Sequence, residues 1–156
     1  NEAVQTVSLF LEGGNVLQRK DASGEITPVE VEGEPVAPDV PMVVLVNSGT
    51  ASAAEITTGA LQDAGRATVV GETTFGTGTV LNRFPLSDGS VLLLAIEEWR
   101  TPDGRVIWHS GLEPDVQVEL PADVTPLLPS RETGMAEDEL RDSGDAQLLR
   151  ALELLE

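Results

Sequence analysis

PMVVLVNSGTASAAEITTGALQDAGRATVVGE, residues 41–72, decides the fold. The apolar run Met42 to Val46 reads as a buried strand and Asn47, Ser48, Gly49 and Thr50 as a turn, while Ile56, Ala60, Leu61 and Ala64 recur at helical spacing between about Ser52 and Asp63. A second apolar run, Thr68 to Gly71, completes a strand–helix–strand unit, which crossover geometry makes parallel and right-handed. Ser52 falls at the mouth of the helix, where unpaired N–H groups and the positive end of the helix dipole favour developing negative charge. Two readings of this serine are open. It is a poised nucleophile, or it is a cap whose hydroxyl accepts from an N–H two or three residues on, a role Thr50 fills better if the helix starts one turn early.

Working outward, Glu2 to Leu11 patterns as an amphipathic helix with Val4, Val7, Leu11 and Phe10 inward, closed by Gly13 and Gly14. A hairpin follows, Val16 to Lys20 and Ile26 to Val31, turning at Ser23 and Gly24, and then a proline-rich connector from Glu34 to Val40. Beyond the central unit, Leu81 to Phe84, Val91 to Ile96, Arg105 to Trp108 and Val116 to Leu120 read as strands, separated by the turn signals SDG and PDG. The fold class expected is α/β, a layered mixed sheet with flanking helices plus a C-terminal helix. Residues 1–120 form its core, 121–144 a linker, and 145–156 (DAQLLRALELLE) a helix with Asp145 as N-cap and Leu148, Leu149, Leu152 and Leu155 on one side. That leucine stripe must bury itself against the body or against a second copy, which makes a homodimer through the tail an expectation.

Composition bounds the chemistry. The 156 residues suit one domain, with 40% hydrophobic but only 3% aromatic residues, so the core is aliphatic and alanine-rich. A net charge of −18 repels phosphate backbones and anionic lipid, which argues against nucleic-acid or membrane-surface partners. Without cysteine there are no disulfides or thiolate metal sites, and the acidic residues neither cluster with histidine nor space like a calcium loop, so no metal is expected. No cofactor is expected either, because Gly76 and Gly78 around Thr77 fit neither a phosphate-binding loop nor a dinucleotide fingerprint. No run approaches the roughly 18 apolar residues of a membrane span, and the first residues lack the basic start of a signal peptide.

From Pro41 to Asp115 the chain resembles the C-terminal processing peptidases, or tail-specific proteases, serine peptidases that use a Ser and Lys pair. Seven blocks carry the resemblance, in order: VN at Val46, TASAAEI from Thr50, QDAGRA from Gln62, VVGETTFGTG from Val69, PLSDGS from Pro85, TPDGR from Thr101 and GLEPD from Gly111. The resemblance implies a ClpP/crotonase-like fold, protein or peptide substrates cleaved near their C-termini, and an extracytoplasmic location. It places the nucleophile at Ser52 and one oxyanion donor at the N–H of Ala53. The family's Lys, which takes the proton from the serine hydroxyl, falls on Thr77, and the Gln thought to orient that Lys falls on Leu81.

A threonine hydroxyl cannot accept a proton at neutral pH as a desolvated lysine amine can, and losing a positioned base costs a factor of about 10² to 10⁴. The expectation is therefore an impaired peptidase that keeps peptide binding, set against a purely structural assembly module. Two other groups could supply a base. Lys20, the only lysine, reads as a solvated residue at the end of a strand entering the turn at Ser23 and Gly24, and His109, the only histidine, as a partly exposed strand end. The family's R-x-N-P-G-G segment, source of the second oxyanion donor, does not occur in the sequence. The chain thus reads as a piece cut behind that glycine pair, without the PDZ-type domain that usually precedes it.

Overall fold

The strand–helix–strand unit forms around parallel pairing of β3 (Val43–Val46) and β4 (Thr68–Gly71), joined by α2 (Ala53–Asp63). This is a computed structural model that describes residues 2–128, 130 and 133–156. β4 also pairs in parallel with the short β7 (Val116–Gln117), giving a three-stranded sheet ordered β3-β4-β7. A second, antiparallel sheet is ordered β2-β1-β6-β5, from β1 (Asn15–Asp21), β2 (Ile26–Glu30), β5 (Thr79–Pro85) and β6 (Val91–Arg100).

The core lies where α1 (Glu2–Ser8) and α2 meet the antiparallel sheet. Val4, Val7 and Leu11 pack with Val16 and Leu17 of β1, Ala60 and Leu61 of α2, and Trp99, Ile107 and Leu112. Trp99 is one of two tryptophans and the largest fully buried side chain, so a single aromatic fills what is otherwise an aliphatic interior.

Several boundaries differ from the sequence reading. α1 stops at Ser8 and not at Leu11, because Leu9 and Phe10 bond three residues back, to Thr6 and Val7 carbonyls, which tightens the last turn. β3 is not fully buried: Leu45 stands 44% exposed and only Val46 is enclosed. Ala64 is exposed and ends α2 as its C-cap. Arg105 to Trp108 forms no strand; a single bridge pairs Val106 with Arg100, and the chain then turns at His109. The two turn signals held their geometry, with Gly89 and Gly104 at φ 87 and 83. At the first of them the Asp88 carboxylate accepts from both the amide and the hydroxyl of Ser90, which holds its pKa below the ordinary value.

The terminal helix α4 (Ala146–Leu155) has Asp145 as N-cap, accepting from the Leu148 N–H at 3.0 Å. Its buried residues are Gln147, Leu148 and Ala151, and Gln147 Nε2 donates to the Val118 carbonyl beside β7. The leucine stripe is therefore divided: Leu148 buries against the body, while Leu149, Leu152 and Leu155 line a cleft of about 570 Å³ shared with α3 (Glu137–Arg141). Of the expected linker, Pro129, Arg131 and Glu132 lie outside the described residues.

Gly71 shows how tightly the central pair is built. It sits at φ 133 opposite Val46, and a Cβ there would lie 1.9 Å from the Val46 carbonyl oxygen. Gly71→Ala is expected to cost about 2–4 kcal/mol in urea denaturation, because clash and backbone strain combine. Gly24→Ala has a φ of 90 but open space around it; it should cost only about 1 kcal/mol. Equal losses for the two variants would remove the steric argument.

Candidate active site

Ser52 stands at the junction of strand, turn and helix with φ 55 and ψ −118, a left-handed conformation that a serine adopts at a cost of order 1–3 kcal/mol. The turn before it is self-contained: Asn47 Oδ1 accepts from Gly49 N–H at 2.9 Å, and Thr50 Oγ1 accepts from Asn47 N–H at 3.0 Å. Thr50 is thereby occupied by the turn and does not cap the helix. Ser52 is the N-cap residue, yet its side chain makes no cap hydrogen bond, and the residue is exposed. The capping reading of its hydroxyl fails, because the hydroxyl makes no hydrogen bond to the helix's first amides. Ala53, exposed, opens α2, and its N–H belongs to the first turn that has no acceptor within the helix.

What holds this conformation is Glu55, a fully buried carboxylate three residues on. Oε2 accepts from Ser52 N–H at 2.9 Å and from Thr77 N–H at 2.8 Å; Oε1 accepts from Thr74 Oγ1 at 2.5 Å and Gly76 N–H at 2.7 Å. The Ser52 and Thr77 amides thus converge on one oxygen atom. Thr74 Oγ1 in turn accepts from Leu112 N–H at 2.8 Å, and Phe75 N–H donates to the Thr50 carbonyl, so the loop between β4 and β5 is tied at both sides.

The loop is also close-packed. A Cβ on Gly76 would lie 2.8 Å from the Ile107 carbonyl oxygen, and one on Gly78 would lie 2.6 Å from Trp108 Cβ. These two glycines are required by close approach, and no phosphate cradle is needed to explain them.

The residues singled out from sequence divide as follows. Ser52, Ala53 and Thr77 are brought together at the start of α2. Thr77 is half-buried, and it is its backbone that Glu55 grips. Leu81 lies further along, on β5 just past a bulge, and is 58% exposed. Lys20 lies near the end of β1, ahead of the turn, as the hairpin reading placed it, opposite Glu98 and Ile26 and beside a cleft of about 290 Å³ that also touches Thr79 and Trp108. His109 is exposed at φ 64, its ring 4.7 Å from that of Trp108, and its N–H donates to the Gly76 carbonyl.

Glu55 is the residue whose role sequence reading missed. The signal was present as the S-x-x-E spacing of Ser52 and Glu55, the mark of a capping box; only its Glu half forms. The motif blocks further along prove architectural. At the far end of α2, Arg105 bridges to Asp63 and donates to Gln62, while Asp115 accepts from Val69 N–H and from Gln62. Among the described residues no group of three or more acidic or histidine side chains could hold a metal ion, and no helix is long and apolar enough to cross a membrane.

The chain is similar to known peptidases in sequence and fold. The model of peptidase family S41 matches residues 1–118. The carboxy-terminal processing protease CtpA of Bacillus subtilis is 42% identical over 123 residues, 77% of this chain and 26% of the relative. A probable CtpA-like serine protease of Staphylococcus aureus is 35% identical over 123 residues, 78% of this chain and 25% of the relative. Among solved structures, the photosystem II D1 C-terminal processing protease superposes with a TM-score of 0.70 at 36% identity, covering 78% of this chain and 32% of that one. A peptidase from Parabacteroides merdae shares the fold at 18% identity, with a TM-score of 0.70 over 98% of this chain and 46% of that one. The chain spans about a quarter of the length of the curated relatives it matches.

Glu55→Gln should expose the network's weight. An amide places donors against donors, and the loss should be about 2–3 kcal/mol. Hydrogen exchange at the Gly76 and Thr77 amides should accelerate more than at Val69. Unchanged protection at Gly76 and Thr77 would mean the carboxylate does not hold the loop.

Proposed function

The chain belongs to peptidase family S41, as a C-terminal processing peptidase-like domain, and from that premise we propose that Ser52 occupies the nucleophile position of a site that binds peptides but hydrolyses them poorly. One observation carries the proposal: the exposed Ser52 and the Thr77 amide share one Glu55 oxygen, while Thr77 presents no basic nitrogen. Attack on a peptide carbonyl needs the serine proton removed as the bond forms, and a hydroxyl with an ordinary alcohol acidity cannot do this. The Ala53 N–H, at the positive end of α2, is the donor for an oxyanion there. Leu81, in the place of the family's Gln, has no group that could orient an amine.

In this reading the substrates are C-terminal segments of other proteins, met outside the cytoplasm. Residues 1–120 form the peptidase-like body, which the family match over residues 1–118 supports. Retained peptide binding distinguishes an impaired peptidase from an assembly module, and saturable titration with C-terminal peptides supports the former.

A second reading has one observation in its favour. The His109 amide is bonded to Gly76, the residue before Thr77, so the only histidine is anchored next to the loop where a base belongs. The test for both is covalent labelling of Ser52 by a fluorophosphonate at neutral pH. The wild-type chain should not label; Thr77→Lys with Leu81→Gln should, and Ser52→Ala should remove the signal. Wild-type labelling abolished by His109→Ala would select the second reading and overturn the first.

A further inference from the structure

The chain has only three phenylalanines and two tryptophans, and no tyrosine. Trp99 fills the core and Phe10 packs half-buried against it, but the two most exposed of the five, Phe75 at 68% and Trp108 at 50%, flank the loop that carries Thr77. Phe75 lies two residues before Thr77. Trp108 lies against the residue after it: a Cβ on Gly78 would meet Trp108 Cβ at 2.6 Å, and the neighbouring His109 donates its N–H to the Gly76 carbonyl.

The exposure of Phe75 is imposed by its neighbours. Thr74, buried, donates its hydroxyl to Glu55 Oε1, Gly76 donates its N–H to the same oxygen, and the Phe75 N–H donates to the Thr50 carbonyl at 2.9 Å. Three consecutive residues are tied down while the ring stands in solvent, and Thr50 is only two residues before Ser52. Scattered exposed apolar side chains are ordinary on a protein surface. An aromatic ring on a fixed backbone beside a reactive hydroxyl is better suited to contact, because little freedom is lost when a ligand covers it.

The local charge says what kind of ligand side chain fits. In a chain of net charge −18 with 23% charged residues, the three segments that meet at this loop, residues 40–54, 73–82 and 106–112, contain no Asp, Glu, Lys or Arg. They are joined by the bonds from Phe75 to Thr50, from His109 to Gly76 and from the Leu112 N–H to Thr74 Oγ1. Glu55, next to the first of them, is buried with both oxygens already taken by four donors. The acidic body attracts a basic peptide at long range, but at Ser52 no free carboxylate receives it, whereas two aromatic rings stand ready for apolar groups.

Resting on the reading of Ser52 as a peptide site, we propose that Phe75 and Trp108 are specificity-determining contacts that hold apolar side chains of a peptide lying across Ser52, one on each side of the Thr77 loop.

Fluorescence anisotropy on the whole chain tests this with two labelled peptides, both built of serine and glycine with a free C-terminus, one carrying leucines at its centre and the other lysines. The leucine peptide should bind about tenfold tighter. Phe75→Ala and Trp108→Ala should each weaken it about fivefold and leave the lysine peptide within about twofold, whereas Phe75→Leu should recover most of the loss. Leu128→Ala, a similarly exposed residue of the C-terminal segment, should change neither. A readout without substitution comes from the tryptophans: Trp99 is buried, so acrylamide quenches Trp108, and unlabelled leucine peptide should shield it. If neither peptide binds, the peptide-binding reading of Ser52 fails and the contacts fall with it. If the leucine peptide binds but neither alanine variant weakens it and Trp108 stays quenchable, the assignment of the contacts alone is overturned. A preference for the lysine peptide overturns it as well and transfers selectivity to the acidic surface.

Discussion

One buried carboxylate organises this molecule's site. Glu55 sits at zero exposure with four donors around its two oxygens, and those donors come from the N-cap residue of the helix and from three residues of a loop some twenty positions later. A charged group is costly to bury unless its hydrogen bonds are satisfied. Satisfied in this way, it fixes the left-handed backbone at Ser52 and the path of the loop past Thr77 together. Neither feature is independent of the other: the amide of each is held by the same oxygen.

Around that point the rest of the structure acts as a frame. The parallel β3–β4 pair sets the height at which the chain enters the turn, Gly71 allows it to pass close to Val46, and Gly76 and Gly78 let the return loop lie against residues 107–108. At the other end of α2, Arg105, Asp63, Gln62 and Asp115 close a polar cluster that fixes the helix against the segments carrying it. The helix is thus anchored at both ends by polar contacts and along its side by Ala60 and Leu61. This distribution explains why blocks scattered over more than sixty residues belong to one spatial unit.

The central unit was legible because its signals are local. Helical periodicity, the apolar runs around it and the SDG and PDG turns are all set by neighbours in sequence. What escaped depended on distant partners. Arg105 to Trp108 has the residues of a strand, yet the close approach of Gly76 and Gly78 bends it into a turn at His109. The stripe of leucines in the terminal helix was visible, but not that Leu148 would go inward with Gln147 and Ala151. In the site, Ser52 and Thr77 were named from the resemblance, while the group joining them was hidden in plain spacing. An acid three residues after a helix start ordinarily signals a surface cap, and nothing local says that it will be buried and shared with a remote loop.

The grip on Thr77 is made through its amide alone, and this separates chemistry from architecture. Any residue with a backbone N–H satisfies Glu55 at that position, so this hydrogen bond does not depend on which side chain is attached. The anchoring of the loop is therefore common to every side chain that the half-buried position 77 accommodates, whatever chemistry that side chain brings.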